Sequence, residues 1–348
     1  MSKQHVYSVI CAIVIAGILT AACGSSPTPT GGADEAQVTV SGSGGANELT
    51  GTATTSSGAD ELKGTVTISG AWALYPMVVR WGEEFQKLHP AVRFDISAGG
   101  AGKGMTDALA GAVDIGMVSR AIDPAEVEKG AFGIAVTKDA VFLAVNADNP
   151  VWEELHQKGI TREILIGIYI TGEITTWGQA VGRAEVTEPI HVFTRSDAAG
   201  APAVWAEYLG KKQEDLLGIG VYGDPGLLEA VVKDTLGIGY NNLNYAFDFV
   251  TALPVAGALV VPIDSNENSQ ADPEEIVDTK EQAVNAVISG RYPSPPARDL
   301  YLVTDGRPEG LENAFIRWVL DEGQKYVDEV GYVALPREKL DAELGKLD

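Results

Sequence analysis

The chain has 348 residues and carries 48 Asp and Glu against 25 Lys and Arg, a net charge of −23. So acidic a protein is excluded from nonspecific binding to nucleic acid or to an anionic membrane surface. Its two cysteines are Cys11 and Cys23, so the body beyond them has neither an intrachain disulfide nor a thiolate metal site. Its stability must come from a packed core, and its length allows one in two domains.

Lys3 precedes an apolar run, Val9 to Leu19, that is too short for an ordinary spanning helix. The run ends at Leu19-Thr20-Ala21-Ala22-Cys23-Gly24. Small residues before a cysteine resemble a bacterial lipoprotein signal, although Thr20 stands where an aliphatic residue is more usual. On this reading residues 1–22 are the signal peptide, Cys23 is lipidated, and the body is extracytoplasmic and tethered to the membrane. The alternative, an uncleaved anchor with an incidental cysteine, gives the same placement. Loss of Lys3 with the signal leaves a net charge of −24. That field repels anions, so local donors must outweigh it at short range while salt screens the rest. Residues 23–63 are rich in Gly, Ser, Thr and Ala, contain no aromatic residue, and read as a flexible spacer.

From Gly64 onward strand patterns alternate with helix patterns. Strands are expected at Val66–Ser69, Val92–Ile96, Asp114–Val118, Ala140–Val145, Ile190–Thr194, Gly237–Tyr240 and Leu300–Thr304. Helices are expected at Met77–Leu88, Lys103–Ala110, Pro124–Lys129, Arg162–Ile170, Ala203–Leu209, Pro225–Val232, Lys280–Ser289 and Glu309–Val330. The alternation predicts an α/β architecture with mainly parallel sheets. Chain crossings are expected near Val141–Asn146 and Gly239–Tyr245, giving a discontinuous first domain (residues 64–142 and 241–348) and a continuous second one (143–240). Ligands of open α/β sheets sit beyond the strand C-termini, so the cleft between the domains is the expected site.

Three loop-to-helix junctions carry the chemistry. Trp72-Ala73-Leu74-Tyr75-Pro76 opens the first helix, with Pro76 suited to a first turn. A glycine turn (Gly99, Gly100, Gly102, Gly104) follows the strand that ends near Ile96, and the next strand ends in Ser119-Arg120. Arg195-Ser196-Asp197-Ala198-Ala199-Gly200-Ala201 opens a third helix. Uncovered N–H groups and the positive end of the helix dipole make such junctions natural anion sites. Arg195 can clamp an oxyanion through two N–H donors, with Asp197 fixing its geometry; a plain surface ion pair is the alternative. Arg120 is similarly placed, whereas Lys103 reads as a solvated helix residue. Tyr240-Asn241-Asn242 either lines the cleft or caps a helix.

Other motifs fail on inspection. Ser97 to Gly104 is not a P-loop, because Ser97 replaces the first glycine and Gly104 the required Ser/Thr. Gly218-Ile219-Gly220-Val221-Tyr222-Gly223 fits G-x-G-x-x-G but follows a polar segment rather than a buried strand, so it is not read as a dinucleotide fingerprint. The four histidines (His5, His89, His156, His191) lack metal-ligand spacing, and no nucleophile elbow is present.

Together these segments resemble the periplasmic phosphate-binding proteins of ABC transporters, the PstS-like group. The matching pieces are Ser69-Gly70-Ala71 with Leu74-Tyr75-Pro76, Gly99-Gly100-Ala101-Gly102, Val113 to Arg120, Ile174-Thr175-Thr176-Trp177, Arg195 to Gly200, Gly237-Ile238-Gly239-Tyr240, and Phe315 to Val333. The resemblance implies a two-domain, periplasmic-binding-protein-like (type II) α/β fold with an interdomain cleft. It also implies phosphate as ligand, delivery to ABC permease subunits, a monomer, no cofactor, no metal and no catalysis. Carried over residue by residue, it implies ligand contacts from Leu74, Tyr75, Gly99, Gly100, Ser119, Arg120, Arg195, Ala199, Gly200 and Ala201. The sequence departs from the family where hydroxyl residues are usual, at Gly99, Ala199 and Ala201, and where Ser119 replaces an acidic acceptor. Molybdate, tungstate or sulfate is therefore an alternative ligand. A sensing or adhesion lipoprotein of the same fold, or a phosphoester hydrolase using Ser119 and Arg195, is an alternative function. The signal reading predicts that Cys23→Ser moves the protein from the membrane fraction to the soluble fraction of expressing cells; an unchanged distribution would rule out lipid attachment at Cys23.

Overall fold

The computed structural model describes residues 61–348. Cys23, the signal run and nearly all of the spacer lie outside the described residues. Nine strands are present among these residues: β1 (Gly64–Gly70), β2 (Val92–Ala98), β3 (Ile115–Val118), β4 (Ala131–Asn146), β5 (His191–Arg195), β6 (Ile219–Val221), β7 (Gly237–Asn242), β8 (Ala258–Val260) and β9 (Ala297–Asp305). Their order is β2-β1-β3-β9-β4-β7-β5-β6, with β8 also paired to β4.

Strand β4 organises the molecule. Its first part, Ala131 to Ala140, pairs antiparallel with β9, and its last part, Val141 to Asn146, pairs antiparallel with β7 and β8. One strand thus serves two sheets, and a core packs on each. The first core holds Val66, Trp81, Phe85, Met117, Leu302 and Phe315. The second holds Phe142, Tyr169, Trp177, Trp205, Tyr240 and Tyr292. Sixteen residues of β4 run almost wholly buried, so its pattern is a continuous apolar stretch rather than an alternation. Lys138 and Asp139 interrupt that stretch, which is why the sequence reading begins the strand only at Ala140.

The expected parallel character holds for half of the pairings. β1 pairs parallel with β2 and β3, and β5 with β6 and β7. Every contact of β4 and β9 is antiparallel, because these strands run between the lobes instead of belonging to strand–helix–strand units. Tyr240, Val260, Val277 and Tyr292 all pack in the second core, and the chain re-enters the first lobe along β9, after Ala297. The helix expected over Glu309–Val330 is three pieces: Gly310–Leu320, a 3₁₀ segment Glu322–Tyr326 and Val327–Val330. Gly323 lies at the break, where its carbonyl accepts the Trp81 indole N–H at 2.8 Å. The expected strands elsewhere are present with ends within three residues, and β6, β8 and the helices Trp152–Lys158, Trp177–Val181, Leu243–Ala246 and Arg337–Lys346 are additional.

The first glycine-bearing junction is set by backbone contact. The helix Ala101–Leu109 lies directly on β1 and β3 through Gly70, Gly104 and Gly116. A methyl at Gly104 would lie 2.4 Å from the Met117 carbonyl oxygen and 2.8 Å from the Gly70 Cα. No side chain fits there, and this contact fixes where the Gly99–Gly102 turn emerges.

The lobes also meet through Lys280, on the helix Lys280–Ile288. Its ammonium donates to the Val330 carbonyl at 3.3 Å and to Asn244, and lies 5.6 Å from the Phe249 ring centre. Burial pulls its pKa from 10.5 down to about 8, against the opposing pull of Asp139 and Asp248. The folded state therefore binds fewer protons than the unfolded state between about pH 8 and 10.5, so this group makes stability rise with pH across that window. Denaturation midpoints of the native chain, taken relative to Lys280→Met, are expected to climb from pH 8 to 10.5; a flat difference would show that Lys280 is solvated in the folded state.

Candidate functional site

All three junctions come together between the lobes. Gly102 N–H donates to the Ala198 carbonyl at 3.0 Å, joining the second junction to the third. A methyl at Gly100 would sit 2.7 Å from the Ala198 oxygen and 2.9 Å from Asp197 Oδ2. One at Gly200 would sit 2.1 Å from Ser119 Oγ and 2.3 Å from the Ser119 carbonyl oxygen. The first junction closes the other side: Trp72 meets Tyr222 edge-on at 6.2 Å, and the Tyr245 hydroxyl donates to the Trp72 carbonyl at 3.4 Å.

Their amides are unequally committed. Leu74 N–H donates to the Ala71 carbonyl, and Tyr75 N–H is shared between Ala71 and Trp72. Gly99 and Gly100 N–H both donate to the Gly70 carbonyl, at 2.8 and 3.0 Å. Ala199 N–H donates to Gln213 Oε1, while Gln213 holds the Asp197 carbonyl at 2.7 Å. Gly200 and Ala201 differ. They open the nine-residue helix Gly200–Tyr208, which has no side-chain cap, and among the described residues their N–H groups have no hydrogen-bond acceptor. Pro202 follows and has no N–H to orphan. This is a helix start with its donors free.

Arg195 ends β5 and its side chain is fully buried. Nε and Nη2 donate to the two oxygens of Asp197 at 2.7 and 2.6 Å, a bidentate pair. Nη1 lies 2.8 Å from Asp224 Oδ2. Burial lowers the guanidinium pKa, but Asp224 and Asp197 outweigh it and hold the cation above its ordinary value. Arg120 has gone elsewhere: it makes two hydrogen bonds to Glu126, in the capping box of the helix Pro124–Val127, and holds that carboxylate below its usual range. Lys103 pairs with Asp107 on its own helix and is half exposed.

Behind these loops lies a buried network that the sequence reading passed over. Asp224 Oδ1 accepts from Asn242 Nδ2 at 2.7 Å, and Asn242 Oδ1 accepts from Arg298. Arg298 also donates to the Ser119 carbonyl at 3.2 Å and faces Asp139 at 3.2 Å. Asp139 accepts from Leu243 N–H. The network ties β9 and β4, which join the lobes, to Ser119 in one lobe and Arg195 in the other. Burial pushes the carboxyls of Asp139 and Asp224 up and the Arg298 guanidinium down, each opposed by its partner. The available signal was a charge inside an apolar strand: Asp139 before Ala140–Val145 and Arg298 before Leu300–Val303. The glycine-rich segment Gly218–Gly223 also resolves here. Its strand, β6, lies inside the motif, and Gly223 begins the helix Gly223–Lys233 that carries Asp224.

Two α/β lobes on shared strands, with their loop-to-helix junctions facing each other around a buried arginine, define a binding protein of the periplasmic type II class. A family model described as a PBP superfamily domain matches residues 52–322, and the chain belongs to that superfamily. It is similar to the phosphate-binding protein PstS of Pseudomonas aeruginosa, 25% identical over 300 residues that cover 79% of this chain and 85% of the relative. It is 27% identical to PstS of Bacillus subtilis over 277 residues, 78% and 81% of the two chains. Among solved structures it resembles a Clostridium perfringens substrate-binding protein with bound phosphate, at 25% identity and a TM-score of 0.63, covering 78% of this chain and all of that one. The fold is shared with a phosphate transport receptor of Vibrio cholerae, at 20% identity and a TM-score of 0.57, covering 78% of this chain and all of that one.

The Gly200–Ser119 contact makes a stability prediction. Gly200→Ala is expected to cost about 1–3 kcal/mol through overpacking against backbone. Gly345→Ala, in the helix Arg337–Lys346 with nothing near its added methyl, is expected to gain up to about 1 kcal/mol from helix propensity. Urea midpoints measure both, and equal shifts would refute the tight approach of the two loops.

Proposed function

We propose that this protein is an extracytoplasmic solute-binding lipoprotein that captures phosphate, or a similar tetrahedral oxyanion, between its lobes and hands it to ABC permease subunits. The observation that carries the reading is the pair of free amides at Gly200 and Ala201, on the turn that begins with the buried Arg195 and touches Ser119. Four groups from two lobes then converge on one anion: two backbone N–H donors, the Ser119 hydroxyl and the guanidinium. Leu74, Tyr75, Gly99 and Gly100 shape the site through their backbone, and their amides reach the ligand only by giving up the carbonyls they now serve. Ala199 sets the start of the helix. Arg120, engaged by Glu126, contributes its charge from a distance. The phosphate-binding relatives, aligned over more than three quarters of the chain, favour phosphate among the oxyanions. Delivery to a permease is supported by membership of the family, and lipidation at Cys23 by the N-terminal pattern.

Calorimetric titration with phosphate, sulfate, molybdate and tungstate tests this. Phosphate is expected to bind tightest. Arg195→Lys, which keeps the charge but loses the fork, is expected to weaken binding about tenfold or more, since a charge-assisted hydrogen bond is worth roughly 1.5–3 kcal/mol. Heat with none of the four anions would remove the receptor reading.

A further inference from the structure

Arg195 is not an idle clamp, because its own protein already fills its hydrogen-bonding edges. Asp197 takes Nε and Nη2 in a well-formed bidentate pair. Asp224 stands at Nη1, and that contact is of a different kind. The two atoms are 2.8 Å apart, yet buried Nη1 and buried Oδ2 each lack an aligned hydrogen-bond partner. The attraction is chiefly that of two charges at close range, with a smaller and poorly aligned hydrogen-bonding part. Asn242 holds the other oxygen of Asp224, so the carboxylate does not swing freely into line.

Resting on the phosphate reading above, we propose that Asp224 is a resident competitor for Arg195: its carboxylate holds the Nη1 corner that an incoming oxyanion takes, and oxyanion capture is coupled to neutralising or displacing it. Charge accounting supports this. The groups facing Asp224 are Arg195 on β5, Asp197 on the following turn, the Tyr240 hydroxyl and Asn242 on β7, Arg298 on β9, Asp139 on β4 and the Tyr245 hydroxyl on the helix Leu243–Ala246. Two guanidinium groups and, beside Asp139, the Lys280 ammonium meet three carboxylates, so the buried cluster has no spare positive charge for an incoming anion. A dianion meets those carboxylates in a poorly screened place. A proton on Asp224 cancels one carboxylate, releases Nη1, and leaves Asn242 as a partner for the neutral acid. Burial pushes the Asp224 carboxyl up, against the opposing pull of Arg195, and so favours that proton. Binding then takes up a proton at Asp224, so affinity gains as pH falls through its titration and the penalty is largest at high pH.

Asp224→Asn keeps the hydrogen-bonding shape and removes the charge. Phosphate affinity of the native chain and of Asp224→Asn is measured by calorimetry at about pH 8 and about pH 5.5. The titration of phosphate itself is common to both proteins and cancels in their ratio. The variant is expected to bind about tenfold tighter at the higher pH, the equivalent of about 1.4 kcal/mol, with the ratio closing toward unity at the lower one. A variant that binds equally or more weakly at both values overturns the competitor role while leaving the phosphate reading intact. No binding by either protein overturns both. Thermal melts report folding; Asp224→Ser provides a second neutral variant, and failure of both to fold makes Asp224 a brace and ends the proposal.

Discussion

Arg195 is a cation whose side chain is fully buried, and the rest of the site is arranged to make that tolerable. Its burial is offset by Asp197 on one edge and Asp224 on another. Burying a charge without partners would cost many kcal/mol. The two carboxylates in turn need their own supports: Gly223 N–H on Asp197, Asn242 on Asp224. Each support pulls in a further element, until the chain of contacts reaches Arg298, Asp139 and Ser119 on the strands and loops of the other lobe. The lobes are joined by covalent strands, but their relative placement at the site is held by this ionic thread.

The backbone contacts at the junctions serve the same end. Glycines at positions 100, 102 and 200 let opposing loops touch without side chains between them. Amides that elsewhere would seek a ligand are absorbed by nearby carbonyls, at Leu74, Tyr75, Gly99 and Gly100. Among the described residues the amides of Gly200 and Ala201 stay without an acceptor at one helix start, beside the Arg195 turn. That suits a protein of net charge −23, whose long-range field repels the anion that its short-range donors hold.

Much of this was legible before any coordinates. Turn chemistry and periodicity located the Gly99–Gly104 turn, the Arg195–Ala201 turn and seven of the nine strands, because these signals are encoded within a few residues of each other. The antiparallel pairing of β4 with β9 was not legible, since nothing local records that residues near Ala135 meet residues near Tyr301. The partner of Arg120 is local, six residues away at Glu126, but Asp123, Glu126 and Glu128 all follow within eight residues and spacing alone does not select among them. Short strands such as β6 and β8 carry too few residues for a period to show.

The sequence by itself determined an acidic composition, an α/β alternation, an N-terminal run that resembles a lipoprotein signal, glycine-bearing junctions and an arginine at the opening of one of them. It did so through residue types and spacings that act over one turn of chain. Only the tertiary structure decided which amides stay free, that Arg195 is shared with Asp224 twenty-nine positions on, and that Arg298 and Asp139 complete the cluster. Those are long-range pairings of buried charges, set by how two sheets exchange a strand, and no short window of residues contains them.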